Sequence, residues 1–179
     1  MAVIKEYDER FSGFDMDRDI LFLKRAIKVS ENARLHGNTP FGAILVDQAG
    51  EVLMEQENME VTQKDCTLHA ELGLIRRASR KYTKEYLWTC SLYSSCEPCA
   101  MCSGGVYWAN IGRIVYAMAE SDLYALNSQD KQNPSFNSSC RNILEKGEQS
   151  IVIVGPVEEV RLEALKVHEG YWNTPAGSK

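Results

Sequence analysis

The order of elements in this 179-residue sequence predicts an α/β fold, a three-layer α/β/α sandwich over one mixed, five-stranded sheet. Two observations carry that expectation. Five short apolar runs read as strands, and longer segments with apolar residues near a period of 3.6 fall among them. The first two runs are joined by a tight turn, as in a hairpin, whereas the later ones alternate with helices. The length suits one domain with a sizeable core. No repeat, low-complexity segment or linker divides residues 1–179, so a single domain with a core of about residues 20–168 is expected.

The first fourteen residues show no firm period. Asp15, Asp17 and Asp19 then precede Ile20, Leu21, Leu23, Ala26, Ile27 and Val29. Acidic residues ahead of such a pattern mark a helix start, and Gly37 stops that helix after His36. Asn38-Thr39-Pro40 is a loop. Residues 41–47 are short and apolar, as a buried strand should be, and Gln48-Ala49-Gly50 turns the chain into a second strand at 51–56. Residues 57–67 are polar and read as a loop that delivers His69 to a second helix. That helix carries Leu72, Leu74, Ile75 and Ala78 and ends in the basic cluster Arg76-Arg77 to Lys81. A third strand covers 89–95. Pro98 opens a third helix at the first helical position, which proline favours, and the helix runs to Trp108-Ala109-Asn110. Residues 111–117 form a fourth strand. The polar, weakly patterned stretch 120–140 suits a lid or pocket edge. Ile143-Leu144 closes a short helix, 150–154 is the last strand, 157–169 a terminal helix, and 171–179 a tail.

Charge and cysteines narrow the setting. The net charge of −5 disfavours a nucleic-acid partner, because binding phosphates wants a basic face. No apolar run reaches the eighteen or so residues of a membrane span, and the N-terminus lacks the basic-then-apolar layout of an export leader. Three of six cysteines, Cys96, Cys99 and Cys102, fall within seven residues. Together with the missing leader, this predicts a cytoplasmic protein with metal-bound thiolates instead of disulfides.

Two fragments carry the chemistry, His69-Ala70-Glu71 and Ser95-Cys96-Glu97-Pro98-Cys99-Ala100-Met101-Cys102. His69, Cys99 and Cys102 make a three-ligand set for one Zn2+ per chain, with a position left open to water. A structural zinc site is usually closed by four protein ligands. Cys99 and Cys102 are three apart and share one helix face, at the positive end that favours thiolate over thiol. His69 begins the other helix in the same way. Zinc with two thiolates and one imidazole is formally neutral, and two helix N-termini restore part of the field that acidifies bound water. In a first turn, Glu71 reaches past the helix end as a neighbour of the metal, not a ligand. There it can take a proton from water and pass it to a departing amine. A closed site with Cys66, Cys90 or Cys96 as fourth ligand leaves Glu71 and Pro98 without a role, and a redox C-x-x-C ignores His69.

The pattern H-x-E … P-C-x-x-C is the signature of zinc-dependent nucleobase deaminases. Roughly residues 20–168 resemble the cytidine and deoxycytidylate deaminase superfamily, within it most the bacterial guanine deaminase and nucleoside deaminase branch. Pro40-Phe41-Gly42-Ala43, Asn58, the two zinc fragments and Gly104-Gly105-Val106-Tyr107-Trp108-Ala109 carry the resemblance. It implies hydrolytic deamination of an aminated purine-type base with release of ammonia. Transfer-RNA adenosine, cytosine or cytidine as substrate, and a non-enzymatic zinc-bearing interaction domain, are the alternatives. It further implies that Asn58, eleven before His69, hydrogen-bonds the base and that Trp108 packs against it, with Phe41 and Ala70 completing the substrate set. An aspartate after the fourth strand reads the guanine edge in those relatives, and a gapless count puts Asp130 there, with Asp122 competing. Guanine deaminases show glycine-phenylalanine-aspartate at that point, whereas this chain has Asn127-Ser128-Gln129-Asp130-Lys131. Such relatives form homodimers with swapped C-terminal segments. Tyr171-Trp172 therefore either closes a neighbouring subunit's pocket or packs on its own domain.

Overall fold

The computed structural model of the chain describes residues 8–127, 136 and 138–172. Five strands, β1 (Gly42–Val46), β2 (Val52–Glu57), β3 (Ser91–Cys96), β4 (Arg113–Met118) and β5 (Val152–Val154), form one sheet in the order β2-β1-β3-β4-β5. β1 runs antiparallel to both β2 and β3, and β3, β4 and β5 run parallel, so the sheet is mixed as expected. Among the described residues, eight α-helices accompany it: α1 (Met16–Leu35), α2 (Glu60–Gln63), α3 (Ala70–Lys81), α4 (Lys84–Leu87), α5 (Ala100–Ala109), α6 (Glu120–Asn127), α7 (Cys140–Leu144) and α8 (Glu158–Val167).

β1 reads as an unbroken apolar run because both of its faces are covered, whereas the edge strand β2 ends in Glu55-Gln56-Glu57 and is only partly buried. Ile44, Val46, Tyr93, Val115 and Ala117 pack with α1 and α8 on one side. Ala43, Leu45, Leu92, Ile114 and Tyr116 pack with α3, α5 and α7 on the other. Adjacent residues of one strand thus enter opposite cores, which makes the three layers. Gly42 lets α1 lie directly on β1. A Cβ there would overlap backbone atoms of Ala26 and Ser30.

α1 begins as its acidic lead predicts, with Asp15 as N-cap accepting from the Arg18 amide, and it ends at His36 ahead of Gly37 at φ +83°. Asp19 does more than mark the start. It is buried in a triad in which Tyr93 Oη and Arg113 Nη1 donate to its Oδ1 at 2.6 and 2.9 Å. The triad ties α1 to β3 and β4.

Several expectations change. The stretch 57–67 is not all loop, because the Asn58 side chain accepts from the Glu60 amide and starts the single turn α2. α4, capped by Thr83, carries no apolar period that would announce it. Pro98 precedes α5 instead of opening it. Cys99 is the N-cap, and the Pro98 carbonyl accepts from Ser103 Oγ at 3.0 Å. The stretch 120–140 begins with α6, which lines the cavity described below. The tail also starts later than 171, because Tyr171 and Trp172 are buried against α1 and α8. Among the described residues, no helix is long and apolar enough to cross a membrane.

Candidate active site

His69 and Cys99 are the N-caps of α3 and α5, and neither side chain caps its own helix. Both are left free to face a common point. His69 Nδ1 lies 3.6 Å from Cys99 Sγ and 3.7 Å from Cys102 Sγ, and the three ligand atoms lie within 4.8 Å of one another. Tetrahedral zinc, with bonds of about 2.3 Å to sulfur and about 2.0 Å to nitrogen, sets N···S edges of about 3.6 Å. The donor set therefore fits Zn2+ in chemistry and in spacing. Cys66, Cys90, Cys96 and Cys140 stand outside it, so among the described residues the set has three ligands and no fourth thiolate.

Charge at the trio favours a cation. The hydrogen bond from Cys102, with His69 beside it, brings the Cys99 thiol down to about 4. The Cys99 sulfur, then Glu60, holds the proton on His69 up to about 10. Cys102 goes the other way, well above the usual thiol, because Cys99 accepts its hydrogen bond and burial adds to the effect. Zinc requires both sulfurs ionised and Nδ1 free of its proton, so loading the metal releases protons.

Glu71 sits in the first turn of α3 with its carboxylate buried beside the trio. Ser94 Oγ donates to Glu71 Oε1 at 2.9 Å, and Cys102 Sγ lies 3.6 Å from Oε2. Burial pushes this carboxyl above its ordinary value, and the Cys99 charge adds to the push. A carboxyl that gains a proton readily beside an open metal position is suited to proton transfer. His69, Glu71 and Cys99 all line a cavity of about 610 Å³, within the span usual for small-molecule sites.

The sequence matches the family described as the cytidine and deoxycytidylate deaminase zinc-binding region over residues 16–118, which includes all three metal-facing residues and Glu71. The chain belongs to this deaminase family. A probable cytosine deaminase of Schizosaccharomyces pombe is 38% identical over 160 residues, 88% of this chain and 94% of its own length. The guanine deaminase of Bacillus subtilis is 41% identical over 104 residues, 56% of this chain and 65% of its own length. The solved guanine deaminase of Nitrosomonas europaea superposes with a TM-score of 0.70 at 21% identity, covering 86% of this chain and 84% of that one, a likeness of fold.

Against the deaminase cavity, the other predicted residues divide. Phe41 lines it. Asn58 is fully buried behind the lining and is not itself on the cavity wall: its backbone N–H donates to the Phe41 carbonyl, and its side-chain Oδ1 accepts from the Glu60 amide. Asn58 Nδ2 has no partner among the described residues. Ala70, the first residue of α3, is buried in the core beneath the sheet's α3 face, and its side chain does not line the cavity. Trp108 lies two turns along α5 from the metal-facing end and is 73% exposed, so it packs against no substrate in its own cavity. Asp122 is also withdrawn. It accepts from the Ala119 amide and pairs with Arg161 of α8 at 2.6 Å, which leaves it no base edge to read. Asp130 lies outside the described residues. Trp172 lines this chain's own cavity, stacked on His168 and tilted against Phe41, so the reading in which it packs on its own domain fits.

Three lining carboxylates escaped the sequence reading. Glu60 approaches the far side of His69. Burial pushes its acidity one way, but hydrogen bonds with His69 and Thr39 outweigh it and hold the carboxyl below the usual range. Glu97, inside the S-C-E-P-C fragment, is buried and accepts from the Glu120 and Cys140 amides at 3.1 and 2.9 Å and from Ser139 Oγ at 2.7 Å. Glu120 is pushed up to about 8 by burial and then by the neighbouring Cys99, Glu97 and Glu71 charges. Glu97 alone carried a signal, its place between motif residues.

Proposed function

We propose that this protein is a hydrolytic deaminase of a free, aminated nucleobase, releasing ammonia, and that residues 1–179 act as one deaminase domain. The single observation that carries the reading is Glu71 buried beside a three-ligand metal set on the wall of one cavity. His69, Cys99 and Cys102 hold the ion and leave a position for water. Zinc bound there supplies a Lewis acid that makes water nucleophilic near neutral pH. Glu71 accepts the proton from the attacking oxygen and delivers it to the departing amine nitrogen. Ser94 keeps the carboxylate oriented between those two duties. Phe41 and Trp172 wall the space for a flat ring, and Asn58 offers its unpartnered amide N–H to the base. A zinc domain made only for interaction has no use for a buried carboxylate beside an open metal position.

Cytosine is the first substrate we infer, since the relative named for it aligns along nearly its whole length. Guanine is the second reading, supported by the 41% identity to a guanine deaminase over 104 residues. Its other support weakens because Trp108 stands away from the cavity. The net charge of −5 argues against transfer RNA. The decisive experiment is an ammonia-release screen over cytosine, guanine, adenine, their nucleosides and a structured transfer RNA, with zinc quantified in parallel. We expect about one zinc per chain and turnover of one free base. Glu71→Gln should keep the zinc and lose about 10²–10⁴-fold in rate. A Glu71→Gln variant with full activity overturns the mechanism, and turnover of transfer RNA alone overturns the substrate class.

We also infer a homodimer. α5 presents Trp108 to solvent at 73% exposure, away from the cavity, a large apolar side chain that a second copy would cover.

A further inference from the structure

Glu60 stands behind the metal site, at the far nitrogen of its histidine. His69 turns Nδ1 toward both sulfurs, and its Nε2 lies 3.4 Å from Glu60 Oε2. The other carboxylate oxygen is itself fixed, accepting from Thr39 Oγ1 at 2.7 Å. The backbone of the same residue is fixed separately, by the bond from its amide to Asn58 Oδ1 at 3.0 Å. Glu60 is therefore gripped from the loop after α1 and from the turn that starts α2, while its free oxygen addresses the N-cap of α3. An imidazole that ligates through Nδ1 must carry its proton on Nε2. An acceptor held at Nε2 selects that tautomer and fixes the ring plane.

We propose that Glu60 is a positioning residue for the metal: its carboxylate, oriented by Thr39, holds Nε2–H of His69 so that Nδ1 stays turned to the zinc. Glu60 adds a negative charge to a formally neutral ligand set, which tightens the hold on a dication. The inference rests on the zinc site and not on the choice of substrate, because zinc affinity can be measured without turnover. Its rival is direct contact of Glu60 with substrate, since Glu60 also lines the cavity.

The test is zinc competition against a chromophoric chelator, together with melting of the apo and zinc-loaded forms. It uses Glu60→Gln and Thr39→Val beside the parent chain. Glu60→Gln keeps the shape, removes the charge and turns one of the two acceptor oxygens into a donor, and it leaves the bond between the residue 60 amide and Asn58 in place. We expect its zinc affinity to fall about 10–100-fold. The melting temperature of the apo form should hold, the rise on adding zinc should shrink, and KM at saturating zinc should stay at the parent value. Thr39→Val should shift zinc affinity the same way by a smaller factor. If Glu60→Gln lowers apo melting, Thr39→Val, which keeps the carboxylate and frees it, decides the matter. Unchanged zinc affinity in both variants overturns the proposal. So does unchanged affinity with a raised KM, which makes Glu60 a substrate contact. Loss of ammonia release with zinc binding intact bears on the deaminase reading and leaves this one standing.

Discussion

Asn58 is the residue whose surroundings ask most plainly for something outside the protein. It is fully buried, yet its Nδ2 has no acceptor among the described residues. A buried donor without a partner costs about 1–3 kcal/mol unless a ligand satisfies it. Its Oδ1 is already committed to starting α2, so the two ends of one amide serve different purposes. Asn58→Asp separates them, keeping an acceptor for the Glu60 amide and removing the donor. The new carboxylate is buried, so melting should fall, and kcat/KM of the protein that stays folded should drop about 10–100-fold, measured with whichever base the screen identifies. Unchanged kcat/KM would remove Asn58 from recognition. At this scale the metal-facing residues and Glu71 were legible as spacing, because a first helical turn converts sequence distance directly into direction. Glu60, Glu97 and Glu120 were not, since their duties arise from contacts between distant segments, and in sequence each reads as one more solvated acid.

The elements were legible where one physical pattern dominates. Apolar runs, a hairpin turn and the acidic start of α1 all led to elements close to their expected places. The single turns α2 and α4 were not, because four residues cannot display a period and each starts from one side-chain oxygen, on Asn58 or Thr83. Asp19 shows how an element-level signal can conceal a tertiary one. It reads as the last of three helix-starting acids and instead neutralises Arg113 inside the layer between α1 and the sheet. Removing one partner of a buried pair leaves the other uncompensated, at about 3–5 kcal/mol. Asp19→Leu should therefore lower unfolding free energy by about that amount in a urea titration, and the paired change of Asp19→Leu with Arg113→Met should recover much of it. A loss below about 1 kcal/mol in the single variant would mean that the triad does not hold α1 to the sheet.

For the whole molecule, a sandwich of two cores over one sheet leaves the metal at the meeting of α3 and α5, with the outer face of α5 uncovered. If a second copy covers it, Trp108→Glu should halve the mass measured by light scattering while zinc content per chain holds. A parent chain that is already a monomer at micromolar concentration would sink the homodimer. The cavity edge was the least legible part of the fold, because residues 120–140 carry no period and the tail reads as polar. Trp172 enters that edge through packing on Phe41 and His168. Glu97 bears on this edge in a different way. One carboxylate fastens the first amide of α6 and both Ser139 and the first amide of α7, so the chain on either side of residues 128–137 is anchored to the same side chain, itself one residue from the P-C-x-x-C fragment. The starts of α6 and α7 are thus tied to one carboxylate beside the metal-facing thiolates, so displacing that carboxylate would release both helices and the P-C-x-x-C fragment together.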